Sequence, residues 1–465
     1  MRPVGVSRDR WALLLPPAVL GLLGSALLLR RPSLWYDELF TAHVARVPLD
    51  RLLEAVRTGE GTVGYLVDVP PSYNAPYYLA VHGWLALTRL EPGETSLRGL
   101  SLLAAVAAVA LLTRAVARLG GSTAGVTAGL LAATNPLVLE YSVEARGYGL
   151  AMLATCGTAL GLARWLDGGR LWAYGLGATT AGLAHWFALP VVAGLALAGL
   201  MLRRRSALPL LLVSAVAALP ALALVALATA QDDGGVTTGW IGDTGGAVPW
   251  LSLRAWTRDS VLLLAATLAA CLAGLVAGRG DGRARRTAVV GACWVALPLL
   301  VVTLAELARP VFVPRYLLPA LLGLAVLAAV GLAGSRWPGP AVGVVAVVSL
   351  VAAAPLLDRG PREDARGAVQ ALAALAGPGE PVVAVDRRAA LALEQYAPQS
   401  LPYAVPPGDP PAGADVVWLL RQASRDGDLR ASDDDVLLRA AGLRLEGERT
   451  FRGSSSWLVL QRWAR

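Results

Sequence analysis

The sequence predicts an α-helical polytopic membrane protein with a small C-terminal α/β domain, on three observations. Its 465 residues are 55% hydrophobic and only 16% charged, outside the balance of soluble domains, and the mean hydropathy is +0.56. Eleven apolar runs approach or reach the roughly 17 to 25 residues that cross a bilayer as a helix. After Leu357 such runs stop, and charges of both signs with short alternating segments take over.

The runs lie near 11–30, 98–113, 123–139, 148–165, 171–184, 187–202, 206–229, 259–278, 288–308, 316–334 and 341–357. The first follows Arg8 and Arg10, is too long for a signal-peptide core and lacks a small-x-small cleavage site, so it is expected to stay as an anchor. Pro76 to Leu90 is short and carries Tyr77, Tyr78, His82 and Trp84, the profile of an interfacial or re-entrant helix and not of a span. Positive charge sets the direction. With Pro76–Leu90 not crossing, Arg2, Arg8, Arg10, Arg114, Arg118, Arg170, Arg203-Arg204-Arg205, Arg279, Arg283, Arg285, Arg286 and Arg336 all face the cytoplasm. Segments 31–97, 140–147, 230–258 and 309–315 then share the outer face.

The division expected is a membrane domain over 1–357 and a soluble extracytoplasmic α/β domain over 358–465. In the latter, Pro381–Val385, Asp415–Leu420, Leu443–Phe451 and Ser456–Gln461 read as strands. Arg388–Tyr396 and Asp433–Ala441 read as helices, the second closed by Gly442, and 401–411 is Pro-rich. No fixed-period repeat is visible.

The net charge of +8 does not imply a nucleic-acid partner, because the arginines fall between apolar runs, where membrane orientation explains them. All 41 basic residues are Arg, which fits the codon bias of a GC-rich genome. Cys156, Cys271 and Cys293 sit within apolar segments and read as small core residues, neither a disulfide nor a metal framework.

The outer face gathers the polar groups that carry chemistry. Asp37 and Glu38, in Ser33-Leu34-Trp35-Tyr36-Asp37-Glu38, follow the first run. A carboxylate at such a boundary suits a general base for an alcohol or a ligand for a divalent cation, while helix capping accounts for one of the two. In Tyr141-Ser142-Val143-Glu144-Ala145-Arg146-Gly147-Tyr148, Glu144 and Arg146 are close enough to pair, and Glu140 shares a face with Glu144 if the segment is helical. Glu306, Arg309, Arg315 and Tyr316 surround Pro310 and Pro314, and two guanidiniums stiffened by proline at an outer boundary suit a phosphate. The plain reading of those arginines is snorkelling to lipid headgroups. Asp68-Val69-Pro70-Pro71-Ser72-Tyr73-Asn74-Ala75-Pro76-Tyr77-Tyr78 reads mainly as a fixed turn with aromatics at headgroup depth. His185, at the junction of the fifth and sixth runs, is a phosphate donor or, as lone interfacial histidines more often are, structural.

In the order of their parts these segments resemble the C-type glycosyltransferases, and within them the protein-mannosyltransferase-like branch that includes the aminoarabinose transferases of lipid A. The matching parts are the Asp-Glu pair after the first span, the Pro-Pro-x-Tyr-like segment before an interfacial helix, the Glu-Ala-Arg-x-Tyr segment and the late Arg-Tyr, together spanning about 11–357. The resemblance implies Asp37 as catalytic base with Glu38 beside it, Glu144, Arg146, Tyr148, Asn74, Tyr77 and His185 lining the site, and Arg309, Arg315 and Tyr316 at the donor phosphate. The family's usual His-Pro-Pro-Leu is replaced here by Asn74-Ala75-Pro76-Tyr77-Tyr78, so any role of that histidine in placing metal or phosphate is without its residue. The reaction implied is inverting single displacement of a mannose-like or arabinose-like sugar from a polyprenyl phosphate to a hydroxyl on a glycan, lipid or protein at the outer face of the plasma membrane. No Walker or Rossmann glycine fingerprint is present, and a divalent cation at Asp37 and Glu38 stays open as the one possible cofactor. The rival reading is a lipid or glycolipid transporter or flippase, since polar residues between spans also mark translocation paths. Against it, no inverted halves are evident and the polar groups sit at one face. A structural scaffold is the weaker third.

Overall fold

The computed structural model describes residues 12–232, 239–280, 282–404, 414–424, 429 and 433–465. Arg2, Arg8, Arg10 and the Pro-rich stretch from 405 to 411 lie outside them. The chain divides into two compact units. The first comprises Met1–Leu28, Ser72–Leu79 and Arg98–Leu357, the second Leu29–Pro71, Ala80–Leu97 and Asp358–Arg465. The second unit thus resumes after Leu357, where the sequence changes character, and adds most of the loop that follows the first apolar run.

In the first unit every expected run carries a helix. Six helices are long and apolar enough to cross a membrane, or up to eight if each of two bent pairs is one span, among the described residues. Leu15–Leu29, Trp172–Ala184 and Leu189–Leu202 are shorter apolar helices. Together they make this a multi-pass membrane protein. The helix Ala75–Thr88, with 14 residues, is not among the helices long enough to span, as its aromatic-rich sequence predicts.

At the centre of the unit is Leu318–Ala333, buried at every position from Leu318 to Val330. Its neighbours approach through glycine. A Cβ on Gly274 would stand 2.1 Å from the Leu327 carbonyl oxygen, and one on Gly331 2.3 Å from that of Ala270, so the helix Val261–Ala277 packs backbone to backbone against it, as small residues permit in membranes.

One expected span is not straight, and another is entered at a sharp angle from a helix in the segment expected as an outer loop. The run at 123–139 bends by 65° between Ser122–Thr134 and Pro136–Ser142. Pro136 cannot continue the upstream helix, and Asn135 instead caps the new one, its Oδ1 accepting from Leu137 N at 2.9 Å and Val138 N at 3.3 Å. Val248–Thr257 and Val261–Ala277 meet at 110°, across Arg258 and Asp259 at φ +50° and +59°. The two breaks are tied together: Asn135 Nδ2 donates to Trp256 O at 2.9 Å and Arg258 to Glu140 at 3.0 Å. The helix ends at Ser142, so Glu140 and Glu144 do not share a helical face.

The second unit is built on a five-stranded sheet of order β2-β1-β3-β5-β4, with β1 Val382–Ala384, β2 Tyr403–Ala404, β3 Val416–Ala423, β4 Arg444–Phe451 and β5 Trp457–Ala464. The β1–β2 and β1–β3 pairs are parallel, while β3–β5 and β4–β5 are antiparallel. All four expected strands and both expected helices form, the helices as Arg387–Tyr396 and Asp433–Ala440, with Gly442 at φ +83° closing the second. The short β2 and the helix Ala365–Leu375 are additions. Val383, Val417, Leu419, Leu438, Leu443 and Trp463 form the core.

Candidate active site

In the first unit, one tight reversal does most of the positioning. Helix Pro136–Ser142 ends, the chain turns through Glu144 to Gly147, and helix Tyr148–Leu166 begins. A Cβ on Gly147 would lie 2.8 Å from Ala184 O and 3.4 Å from Asn74 Oδ1, so only glycine lets this loop close on the end of Trp172–Ala184 and on the 72–79 segment. Arg146 is thereby aimed at two phenols. Its Nη1 donates to Tyr73 OH at 3.2 Å and more weakly to Tyr78 OH at 3.5 Å, and Tyr78 OH donates to Tyr73 OH at 2.9 Å. The guanidinium also lies 5.5 Å from the Tyr73 ring centroid, within cation–π range. Tyr77 is fully buried beside Tyr78, ring centroids 6.1 Å apart.

Tyr148 opens the next helix and meets the late Arg-Tyr pair. Arg315 Nε donates to Tyr148 OH at 2.9 Å, joining positions 167 apart. Arg315 also lies 5.5 Å from the ring centroids of both Trp240 and Tyr316. Around it runs an aromatic cluster: Tyr141–Tyr148 at 5.3 Å, Tyr148–His185 at 5.5 Å, His185–Tyr316 at 5.2 Å and Phe187–Tyr316 at 5.1 Å between centroids. His185 Nδ1 accepts from Phe187 N at 3.3 Å, which puts its proton on Nε2 and makes that nitrogen a donor. Glu144 is buried at 1% exposure, within electrostatic reach of the Tyr148 hydroxyl, as are Arg146 and Arg315. Two guanidiniums, one buried carboxylate and several phenols are thus gathered where an anion can be held by bidentate, charge-assisted hydrogen bonds.

Of the expected residues, the first unit brings together Asn74, Tyr77, Glu144, Arg146, Tyr148, His185, Arg315 and Tyr316. Arg309 is exposed, just beyond helix Gly282–Ala308. Glu306 has a structural assignment: its carboxylate accepts from Thr244 N and Oγ1, Val311 N and Phe312 N at 2.7–3.0 Å, fixing the loops that carry Trp240 and Arg315. Tyr73 and Tyr78 were noted in the 68–78 segment but not assigned to the site from sequence, and Trp240 was not singled out. The clustering of Tyr73, Tyr77 and Tyr78 was a signal for Tyr73 and Tyr78, and Trp240 had none.

Asp37 and Glu38 belong to the second unit, in the first turn of helix Tyr36–Val44. They divide as a capping carboxylate and a half-buried one. Glu38 is 1% exposed and its Oε2 accepts from Trp35 N at 3.4 Å, the reciprocal half of a capping box. Asp37 keeps partial exposure and its carbonyl accepts from Thr41 Oγ1 at 3.0 Å. A divalent cation wants several oxygen ligands. Asp37 and Glu38 are two carboxylates, and no group of three or more His, Cys, Asp or Glu suited to a metal occurs among the described residues.

No family model matches the sequence, and no curated protein matches it. The structure has counterparts. ArnT from Cupriavidus metallidurans bound to undecaprenyl phosphate is similar over 96% of this chain and 97% of its own, at 15% identity and a TM-score of 0.59. Its apo state is similar over 98% of both chains, at 16% identity and a TM-score of 0.58. The chain therefore has the fold of the C-type glycosyltransferases.

Proposed function

We infer that the protein is a membrane glycosyltransferase that moves a sugar from a polyprenyl-phosphate donor to an acceptor hydroxyl at the outer face of the plasma membrane. The observation that carries this reading is the pair Arg146 and Arg315, drawn from distant parts of the chain and oriented by Tyr73, Tyr78 and Tyr148, in a fold shared with a protein crystallised with undecaprenyl phosphate.

In this reading Asp37 takes the proton of the acceptor hydroxyl, the oxygen attacks the anomeric carbon, and the carbon–oxygen bond to phosphate breaks with inversion. Polyprenyl phosphate leaves as an anion, so no separate acid is needed. Arg146, Arg315 and the Nε2–H of His185 answer the charge that grows on the departing phosphate, the kind of preoriented electrostatic help that lowers such barriers most. Glu144 and Asn74 orient the sugar, Tyr77 and Tyr316 wall the cluster, and Glu38 holds the helix of Asp37. Arg309, exposed, interacts with lipid headgroups.

The test is mass spectrometry of membrane lipids and glycans with and without the gene. A polyprenyl-phosphate sugar that accumulates on deletion, and is consumed by the purified protein in the presence of acceptor, supports the reading. Redistribution of a lipid between leaflets with no bond made or broken would favour a flippase instead.

A further inference from the structure

The backbone just before Asp37 draws its partners from far along the chain. The first N–H groups of a helix have no carbonyl one turn earlier to bind, and here Glu38 supplies an acceptor for Trp35 N. Leu34 N donates to Tyr396 OH at 2.8 Å, across 362 positions, and Tyr36 N to Glu363 Oε2 at 2.8 Å, across 327. The adjoining rings are covered in the same way. The Arg362 guanidinium lies 4.7 Å from the Trp35 ring centroid and that of Arg388 4.5 Å from the Tyr36 centroid. Each of the three residues that precede Asp37 is therefore held by a side chain from the 358–465 segment of the same compact unit.

Glu363 is the centre of this arrangement. It is 1% exposed, and its second oxygen accepts from Arg388 and from Ser456 Oγ, the latter at 2.6 Å. Burial and the nearby charge of Asp37 work against its ionisation, while Arg388, Ser456 and the Tyr36 N–H work for it. A buried carboxylate is costly unless its oxygens are answered, and here one oxygen is committed to the Tyr36 amide. Arg388, which balances Glu363, lies on the ring of that same Tyr36, so carboxylate, guanidinium, ring and amide form one linked group next to Asp37.

We propose that Glu363 is a positioning residue for Asp37: with Arg388 and Tyr396 it fixes the backbone from Leu34 to Tyr36 and so the direction in which the Asp37 carboxylate is presented. The proposal rests on Asp37 being the base, and it gives the C-terminal α/β segment a task in the reaction without contact with substrate. Misplacement of a reacting group by about 1 Å costs on the order of a hundredfold in rate, so loss of this hold is read in kcat and not in donor binding.

The test uses the full-length protein in nanodiscs. In Glu363→Ala, hydrogen exchange in peptides covering Leu34–Glu38 is expected to accelerate roughly tenfold or more, with β3 unchanged, since the amide loses its acceptor. With a polyprenyl-phosphate sugar that the parent consumes, kcat should fall by about 10- to 100-fold while the donor KM stays within about twofold. Glu363→Gln keeps an oxygen for Tyr36 N–H and should recover kcat to within about fivefold of the parent. If Glu363→Ala does not fold, Arg388→Gln, whose side chain is part exposed, carries the test with the same signs. Unchanged exchange at Leu34–Glu38, a kcat within about twofold of the parent, or a loss confined to KM would overturn the proposal. Asp37→Asn, run in parallel, separates the two claims: full turnover in it sinks the base assignment, whatever the exchange data say of Glu363.

Discussion

Arg146 and Arg315 are each oriented by phenols, and a hydroxyl can aim a guanidinium without cancelling its charge. That separates aim from affinity at the level of single residues. Arg315→Ala should raise the donor KM by about 10- to 100-fold, the size of a lost hydrogen bond to a charged group, with the acceptor KM within about twofold in steady-state assays. Equal effects on both would place Arg315 outside the phosphate contact. Arg315→Lys keeps the charge but not the planar fork that meets Tyr148, so an intermediate value is expected. In the second unit, His43 Nδ1 meets Glu394 Oε1 at 2.8 Å and Tyr65 OH donates to Glu394 Oε2 at 2.6 Å. Burial alone would raise the Glu394 pKa, but these bonds and the charges of His43 and Arg46 bring it below the usual 4.5. A depressed carboxylate stabilises the fold above its unfolded pKa, and that contribution fades as the pH falls through the lower folded value. Thermal midpoints of the whole protein should therefore drop below about pH 4.5, and less so in Glu394→Gln. An identical acid profile in the variant would refute this assignment.

Among the elements, those with strong local signals were legible from sequence. Strands β3 and β5 came from apolar runs bounded by turn residues, and the helix read as Arg388–Tyr396 forms as Arg387–Tyr396, capped by Asp386, whose Oδ1 accepts from Arg388 N at 2.9 Å and Ala389 N at 3.0 Å. Strand β2 was not, because two exposed residues have no period to read. The bend at Asn135 had a visible cause in Pro136, whereas the turn at Arg258–Asp259 depends on Arg258 reaching Glu140, a contact across 118 positions. The candidate site divides the same way. Asp37, Glu144, Arg146 and Arg315 announce themselves as charges beside apolar runs, but that Tyr148 would meet Arg315, or Arg146 meet Tyr73, follows only from helix packing. That packing rests on close backbone approach. Gly274→Leu places a side chain where the Leu327 carbonyl already stands, and overpacking of this kind costs about 1–3 kcal/mol or more. It should lower the thermal midpoint in detergent, whereas the same change at Gly339, whose Cβ would meet nothing within 4 Å, should be neutral.

At the scale of the whole molecule, charge between spans and the polar clusters point the same way. On the positive-inside pattern we propose that the loops of Asp37, Glu144 and Arg315 lie outside, together with the C-terminal sheet. A reporter fused after Arg465 should accordingly score as extracytoplasmic, and a cytoplasmic signal would invert the assignment of every loop. The central claim is that this membrane protein transfers sugar with Asp37 as base. It is tested most directly by turnover of a polyprenyl-phosphate sugar by Asp37→Asn in reconstituted membranes. A general base contributes about 10²- to 10⁴-fold, so a kcat loss of that size with donor binding and thermal midpoint preserved is the predicted result. Turnover equal to the parent's would contradict it.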